Sequence, residues 1–234
     1  MSTDYPTFDE EQVPFNDEDS PFENAEFVEN PEPRCPCVLL LDTSSSMKGS
    51  PIKELNDGLE FFKNELLEDD LAAKRVEVSV VAFGPVRVES EFQTPEFFAV
   101  PQLEAHGDTP MGEAVEQAIE LVRERKETFK ANGVNYYRPW IFLITDGAPT
   151  DEWEHAAQLV HEAESDGSLA FFSVGVEGAN MEVLGRMSAR EPLQLDGLRF
   201  RDLFAWLSKS LQMVSHSQLG TEVDLPTPSG WATI

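Results

Sequence analysis

Val38-Leu39-Leu40-Leu41-Asp42-Thr43-Ser44-Ser45-Ser46 is the stretch that decides the fold. Four consecutive apolar residues lack the polar alternation of a half-exposed strand, so residues 38–41 predict a strand buried on both faces, as in a parallel sheet covered by helices. A carboxylate and a cluster of hydroxyls emerge where that strand ends. Open α/β sheets bind ligands just beyond the carboxyl ends of their strands, and small oxygen donors placed there suit a hard cation such as Mg²⁺.

Strand and helix patterns alternate on the C-terminal side of this stretch. Ser50 as N-cap and Pro51 as first helical residue predict a helix whose Ile52, Leu55, Leu59, Phe62 and Leu66 share one face. A strand is expected over 76–83, and a hairpin partner over 86–92 turns at Gly84-Pro85. Thr109 and Pro110 open a second helix that turns Met111, Ala114, Val115, Ala118, Leu121 and Val122 inward, and the polar stretch 126–138 reads as loop or frayed helix end. A buried strand over 140–145 ends at Asp146-Gly147, and Asp151 with Glu154 forms a capping box for a helix reaching Ser165. Further strands over 169–176 and 192–195 and helices over 181–187 and 200–214 complete the series. This alternation implies an α/β fold, a doubly wound and mainly parallel sheet with helices on both faces and one antiparallel edge strand.

The expected organisation is an acidic tail over 1–34, one domain over 35–216 and an irregular segment over 217–234, where Trp231 is placed to dock on the body. The tail carries 11 acidic residues against Arg34 alone, interrupted by Phe8, Phe15, Phe22 and Phe27. Such a composition does not bury enough surface to fold by itself; it either solubilises the chain or docks, and its carboxylates are able to compete for a metal site in cis. A formal net charge of -27 argues against nucleic acid or an anionic membrane as partner, because both are polyanions. Cys35 and Cys37 stand too close for an unstrained disulfide and are expected as reduced thiols. With no signal-peptide pattern and no apolar run of bilayer length, a cytoplasmic location is expected.

In a doubly wound sheet the loops after two neighbouring strands open on one crevice, which would unite the Asp42 loop with the Asp146 loop. Thr109 joins from a third. Asp42, Ser44, Ser46, Thr109 and Asp146 then offer two carboxylates and three hydroxyls, enough to hold Mg²⁺, Mn²⁺ or Ca²⁺ while leaving room for an outside ligand. This DxSxS segment, the Thr of a later Gly-containing loop and the TDG strand end resemble the metal-ion-dependent adhesion site (MIDAS) of von Willebrand factor A (VWA) domains, over about residues 36–215. The resemblance implies that the two Ser and the Thr ligate the cation directly, that the aspartates act directly or through water, and that a partner's Asp or Glu completes the shell. All five positions match without substitution. The fuller strings, from Leu39 to Met47, from Gly107 to Gly112 and from Arg138 to Trp153, look most like the bacterial TerY/YegL-like branch, which is associated with tellurite resistance and stress. That likeness implies a protein kinase or a metal-dependent protein phosphatase as partner. Hydroxyl ligands leave much of a cation's charge uncompensated, so a partner carboxylate gains a strong contact.

Each residue also has an ordinary explanation, since Asp and Ser form turns and Thr109 before Pro110 is a common N-cap. Asp108 reads as a solvated loop residue. His106, His155, His161 and His216 form no zinc motif, and Trp153, Phe171 and Phe172 read as packing. GxxxxGK[ST], GxGxxG after the first strand and GxSxG are all missing, so an enzyme is not expected. The alternative of another class is a receiver-like domain with Asp42 or Asp146 as phosphoacceptor and Mg²⁺ beside it, against which the Ser-x-Ser pair argues.

Overall fold

The computed structural model describes residues 27, 29–228 and 230–233, and the chain divides into the units Met1–Pro31 and Glu32–Ile234. The reading of residues 1–34 as a tail therefore falls almost entirely outside the described residues. Its last residues do not: Glu32 and Arg34 belong to the larger unit, so the expected boundary at 34 lies inside the folded body.

In that unit β1 (Cys35–Asp42) is followed by a 3-10 turn (Ser45–Met47), α1 (Ser50–Leu67), α2 (Ala72–Arg75), β2 (Val76–Phe83), β3 (Val86–Gln93), α3 (Met111–Ala131), β4 (Trp140–Thr145), α4 (Glu154–Ser165), β5 (Ala170–Gly175), α5 (Met181–Met187), β6 (Leu193–Leu195), α6 (Phe200–His216) and β7 (Ala232–Thr233). The seven strands form one sheet in the order β3-β2-β1-β4-β5-β6-β7. The pairs β2–β1, β1–β4, β4–β5 and β5–β6 are parallel, and β3 and β7 close the edges antiparallel. The mainly parallel doubly wound α/β sheet is thus present with its antiparallel edge at β3. A second edge strand, β7, ends the segment expected to be irregular: Asp196 N–H donates to Trp231 O, and the Trp231 indole is buried against Trp206.

The apolar run of β1 serves two cores. Cys35, Cys37, Leu39 and Leu41 pack toward α1 and α6, whereas Val38 and Leu40 pack toward α3, α4 and α5, as strand alternation requires. Both thiols are free and fully buried, and desolvation raises that of Cys35 to about 12, which makes it inert.

Three boundaries differ from expectation. The N-cap of α1 is Gly49 rather than Ser50, with φ 91 and no side-chain cap bond, so the helix begins one residue early. α3 runs on to Ala131, into the first part of the segment 126–138 that reads as loop or frayed helix end. Phe129 accounts for this: its ring is fully buried, stacks on Tyr136 at 5.3 Å and lies under the Arg125 guanidinium at 5.0 Å. Burying such a ring contributes roughly 1.5–3 kcal/mol, enough to hold a polar last turn helical. Finally, α4 takes Trp153 as N-cap, and Asp151 serves a different helix.

The chain reverses direction across the sheet at β1, which lies between β2 and β4. The register Leu41↔Ile144 sets Asp42 level with Thr145 at the carboxyl ends of the two strands, at the switch point where ligands bind.

Candidate functional site

Asp42 is fully buried at the end of β1. Its Oδ1 accepts from Ser44 N–H at 2.8 Å, a turn closed by a carboxylate, and its Oδ2 accepts a short bond from Thr145 Oγ1. Thr145 Oγ1 in turn accepts from Gly147 N–H at 3.1 Å, which fixes the start of the next loop. Ser44 Oγ and Ser46 Oγ lie 3.0 Å apart, and Ser46 Oγ donates to Asp146 Oδ1 at 2.7 Å. The loops after β1 and β4 are therefore joined side chain to side chain.

The loop before α3 completes the cluster. Ser45 N–H donates to Gly107 O at 3.0 Å and His106 N–H to Thr43 O at 2.7 Å, so this loop is bonded to the β1 loop through its backbone. The approach is close enough to demand glycine at 107, where φ is 76 and a Cβ would stand 2.2 Å from Gly84 O. Thr109 Oγ1 and Asp42 Oδ2 both border Gly147, lying 3.4 and 3.9 Å from where a side chain there would begin. All five residues singled out from the sequence are thus brought to one crevice. Asp108 is exposed, as expected.

Sequence reading missed the groups that hold Thr109. Thr109 does not cap α3: Pro110 is the N-cap residue and makes no side-chain cap bond. The cap comes from Asp151, whose Oδ1 and Oδ2 accept from Gly112 N–H at 3.1 Å and Glu113 N–H at 2.9 Å. Beside it Thr109 and Thr150 exchange bonds, Thr109 N–H to Thr150 Oγ1 at 3.1 Å and Thr150 N–H to Thr109 O at 2.9 Å. A residue read as starting α4 therefore staples the β4–α4 loop to the front of α3. Asp151→Ala is expected to cost about 1 kcal/mol, as a lost N-cap does. It should also weaken metal binding by loosening Thr109. A thermal melt in chelator and a Mn²⁺ titration separate the two effects, and an unchanged Mn²⁺ affinity would remove Asp151 from the support of the site.

Burial is the main influence on Asp42 and raises its pKa; the bonds from Ser44 and Thr145 oppose that shift, and the charge of Asp146 adds to it. The cluster thus sets two mutually repelling carboxylates side by side, and no ammonium, guanidinium or imidazole hydrogen-bonds to either of them among the described residues. Such a pair fits a cation. A hydroxyl that donates its hydrogen to a carboxylate keeps its lone pairs for another contact, so Ser46 can hold Asp146 and still offer oxygen. Among the described residues no three His, Cys, Asp or Glu side chains gather. The donor set is accordingly two carboxylates and three hydroxyls, all oxygen, which suits Mg²⁺, Mn²⁺ or Ca²⁺.

Among the described residues no helix is long and apolar enough to cross a membrane. The family model of the von Willebrand factor type A domain matches residues 37–201. No curated protein matches the chain significantly. Among solved structures, proximal thread matrix protein 1 from the mussel byssus is 16% identical with a TM-score of 0.55, over 79% of this chain and 46% of that one. The same protein described with a zinc-occupied MIDAS motif is 15% identical with a TM-score of 0.54, over 77% and 48%. The open conformation of the pilus adhesin SpaC from Lactobacillus rhamnosus GG is 12% identical with a TM-score of 0.62, over 78% and 30%. At these identities the likeness is one of fold, and the chain spans about half the length of the byssus protein and under a third of the adhesin.

Proposed function

Because this chain belongs to the von Willebrand factor type A domain family, we propose that it is a divalent-metal-dependent interaction module whose cation, held by Asp42, Ser44, Ser46, Thr109 and Asp146, recruits a carboxylate of a protein partner. The observation that carries this reading is the convergence of three loops on two carboxylates and three hydroxyls, with no cationic side chain among the described residues bonded to either carboxylate. When bound, the cation supplies positive charge that the hydroxyls do not neutralise, and so attracts an Asp or Glu from outside. The chain's own part is to preorganise. Thr145 and Ser44 hold Asp42 in one orientation, Ser46 holds Asp146, and Thr150 with Asp151 hold Thr109. Mg²⁺ is the preferred ion, with Mn²⁺ as its laboratory substitute.

The role is one of binding rather than catalysis. Against a receiver-like phosphoacceptor at Asp42 or Asp146 stands the Ser44-x-Ser46 pair, whose hydroxyls lie 3.0 Å apart with Ser46 Oγ donating to Asp146 Oδ1. The strings from Leu39 to Met47, from Gly107 to Gly112 and from Arg138 to Trp153 support a place in the TerY/YegL-like branch, hence a cytoplasmic bacterial stress or phospho-signalling assembly. A protein kinase or a metal-dependent protein phosphatase is the partner that branch points to. Affinity capture from native lysate with Mg²⁺, repeated in chelator, tests the proposal. Partners retained with Mg²⁺ and lost in chelator are expected, and partners retained equally in both would refute the mechanism.

A further inference from the structure

Beside the candidate metal site a groove of about 450 Å³ runs between α1 and the segment that leads into the Thr109 loop. Asn56 holds its two walls together, donating from Nδ2 to Ile52 O and Leu103 O and accepting from Leu103 N–H at 2.9 Å. Lys48, two residues after Ser46, stands at one end, and Lys53 lies in the first turn of α1; both are exposed. Neither ammonium has an ion-pair partner among the described residues, in a chain where 44 acidic residues outnumber 17 Lys and Arg. Asp57, one turn beyond Lys53, and Glu104 on the facing wall are the acids of the groove, and neither closes a salt bridge to the lysines.

Lys53 also sits against the helix dipole. A cation at a helix N-terminus is disfavoured by roughly 0.3–1 kcal/mol, and the first turn of α1 contains no acidic residue to offset it. The helix dipole therefore does not favour Lys53 at its position. Both walls of the groove continue into the candidate metal loops, since Lys48 follows the 3-10 turn that bears Ser46 and Ala105 precedes the His106-Gly107-Asp108-Thr109 stretch.

We infer that the groove selects an acidic segment of the partner, in which the carboxylate on the cation is accompanied by further carboxylates that pair with Lys48 and Lys53. The inference rests on the metal-dependent reading above and names the partner's chemistry: a run of Asp or Glu rather than a single acidic residue. The lysines act as selectors outside the metal shell. They raise the affinity for clustered acid and slow its release, and their contribution is sensitive to salt because both are exposed.

Fluorescence anisotropy on the full chain tests this with two short Gly-Ser peptides, one bearing a single central Glu and one bearing three. In Mg²⁺ at low salt the three-Glu peptide is expected to bind about tenfold more tightly, the sum of two exposed ion pairs. The double variant Lys48→Gln, Lys53→Gln should abolish that preference. It should leave the single-Glu peptide within about twofold and Mn²⁺ binding, followed separately by electron paramagnetic resonance, unchanged. Equal binding of the two peptides to the wild type overturns the inference, as it would if the groove took a second copy or an acidic segment of this same chain. A preference that survives the double substitution overturns it too. Should both peptides bind equally well in chelator, with the preference still erased by the substitutions, the metal reading fails and the lysine selection stands. If neither peptide binds although Mn²⁺ does, both fall.

Discussion

Asp42→Asn is expected to abolish Mg²⁺ and Mn²⁺ binding, and partner capture with it, while leaving the metal-free protein at least as stable as the wild type. The two halves of this result come from one carboxylate. Burial raises the Asp42 pKa, the bonds from Ser44 and Thr145 oppose the rise only in part, and Asp146 adds to it. A carboxyl whose folded pKa lies above its unfolded value contributes stability that is fully present below the unfolded pKa and is lost as pH rises through the folded one. At neutral pH in chelator the ionised Asp42 is thus a liability to the fold. Asn removes the charge and keeps an oxygen for Ser44 N–H. Thr145 Oγ1, which already accepts from Gly147 N–H, has a second lone pair for the new amide.

Saturating metal reverses the ranking. A ligand at a hundred times its dissociation constant stabilises the native state by about 2.7 kcal/mol, and only the wild type should gain it. Melting curves of both proteins in chelator and in Mg²⁺, recorded from acid to neutral pH, make the comparison. In chelator the wild type should lose stability relative to the variant as pH rises. A variant that still gains melting temperature from Mg²⁺ would show that Asp42 holds no metal.

Glu77→Gln should cause the largest loss of fold stability, far from the candidate metal site. Glu77 and Arg34 are both fully buried, with Arg34 Nε 2.9 Å from Glu77 Oε1. Arg125 closes on the same carboxylate with Nε to Oε2 and NH2 to Oε1, both at 2.8 Å. Removing the charge leaves two guanidinium groups facing a neutral amide in a low-dielectric interior, and breaking a buried pair costs about 3–5 kcal/mol. For a domain of this size that corresponds to a fall in melting temperature of roughly 6–20 °C. Urea unfolding should give the same ranking, and Mn²⁺ affinity measured on the folded fraction should be unaltered. A loss below about 1 kcal/mol would mean that solvent or another group compensates both arginines.

Arg34 shows where reading the sequence reaches its end. Counted as the lone base of an acidic tail, it is instead bonded by its backbone N–H to Asn135 O and its carbonyl to Tyr137 N–H, and it anchors the start of β1. Its partner Glu77 lies 43 residues away inside an apolar strand, where its charge reads as an interruption. Asp151 is the same case at the other end of the sheet. Its spacing to Glu154 imitates a capping box, yet its carboxylate serves amides 39 and 38 residues earlier in the chain.

What the sequence determined by itself was whatever depends on neighbours in the chain: the two-faced burial of β1, the alternation of strands and helices, and the placing of candidate oxygen ligands at 42, 44, 46, 109 and 146 beside strand and helix ends. Those follow from periodicity and from the small side chains at strand ends, which are local. What only the tertiary structure decided was who holds each donor. Thr145 on Asp42 spans 103 residues and Thr150 on Thr109 spans 41, and these pairs exist because β1 and β4 are adjacent in the sheet. The buried polar groups at that seam had to find hydrogen-bond partners wherever the strand order brought them, and the cost of leaving them unpaired, not any pattern along the chain, selected these.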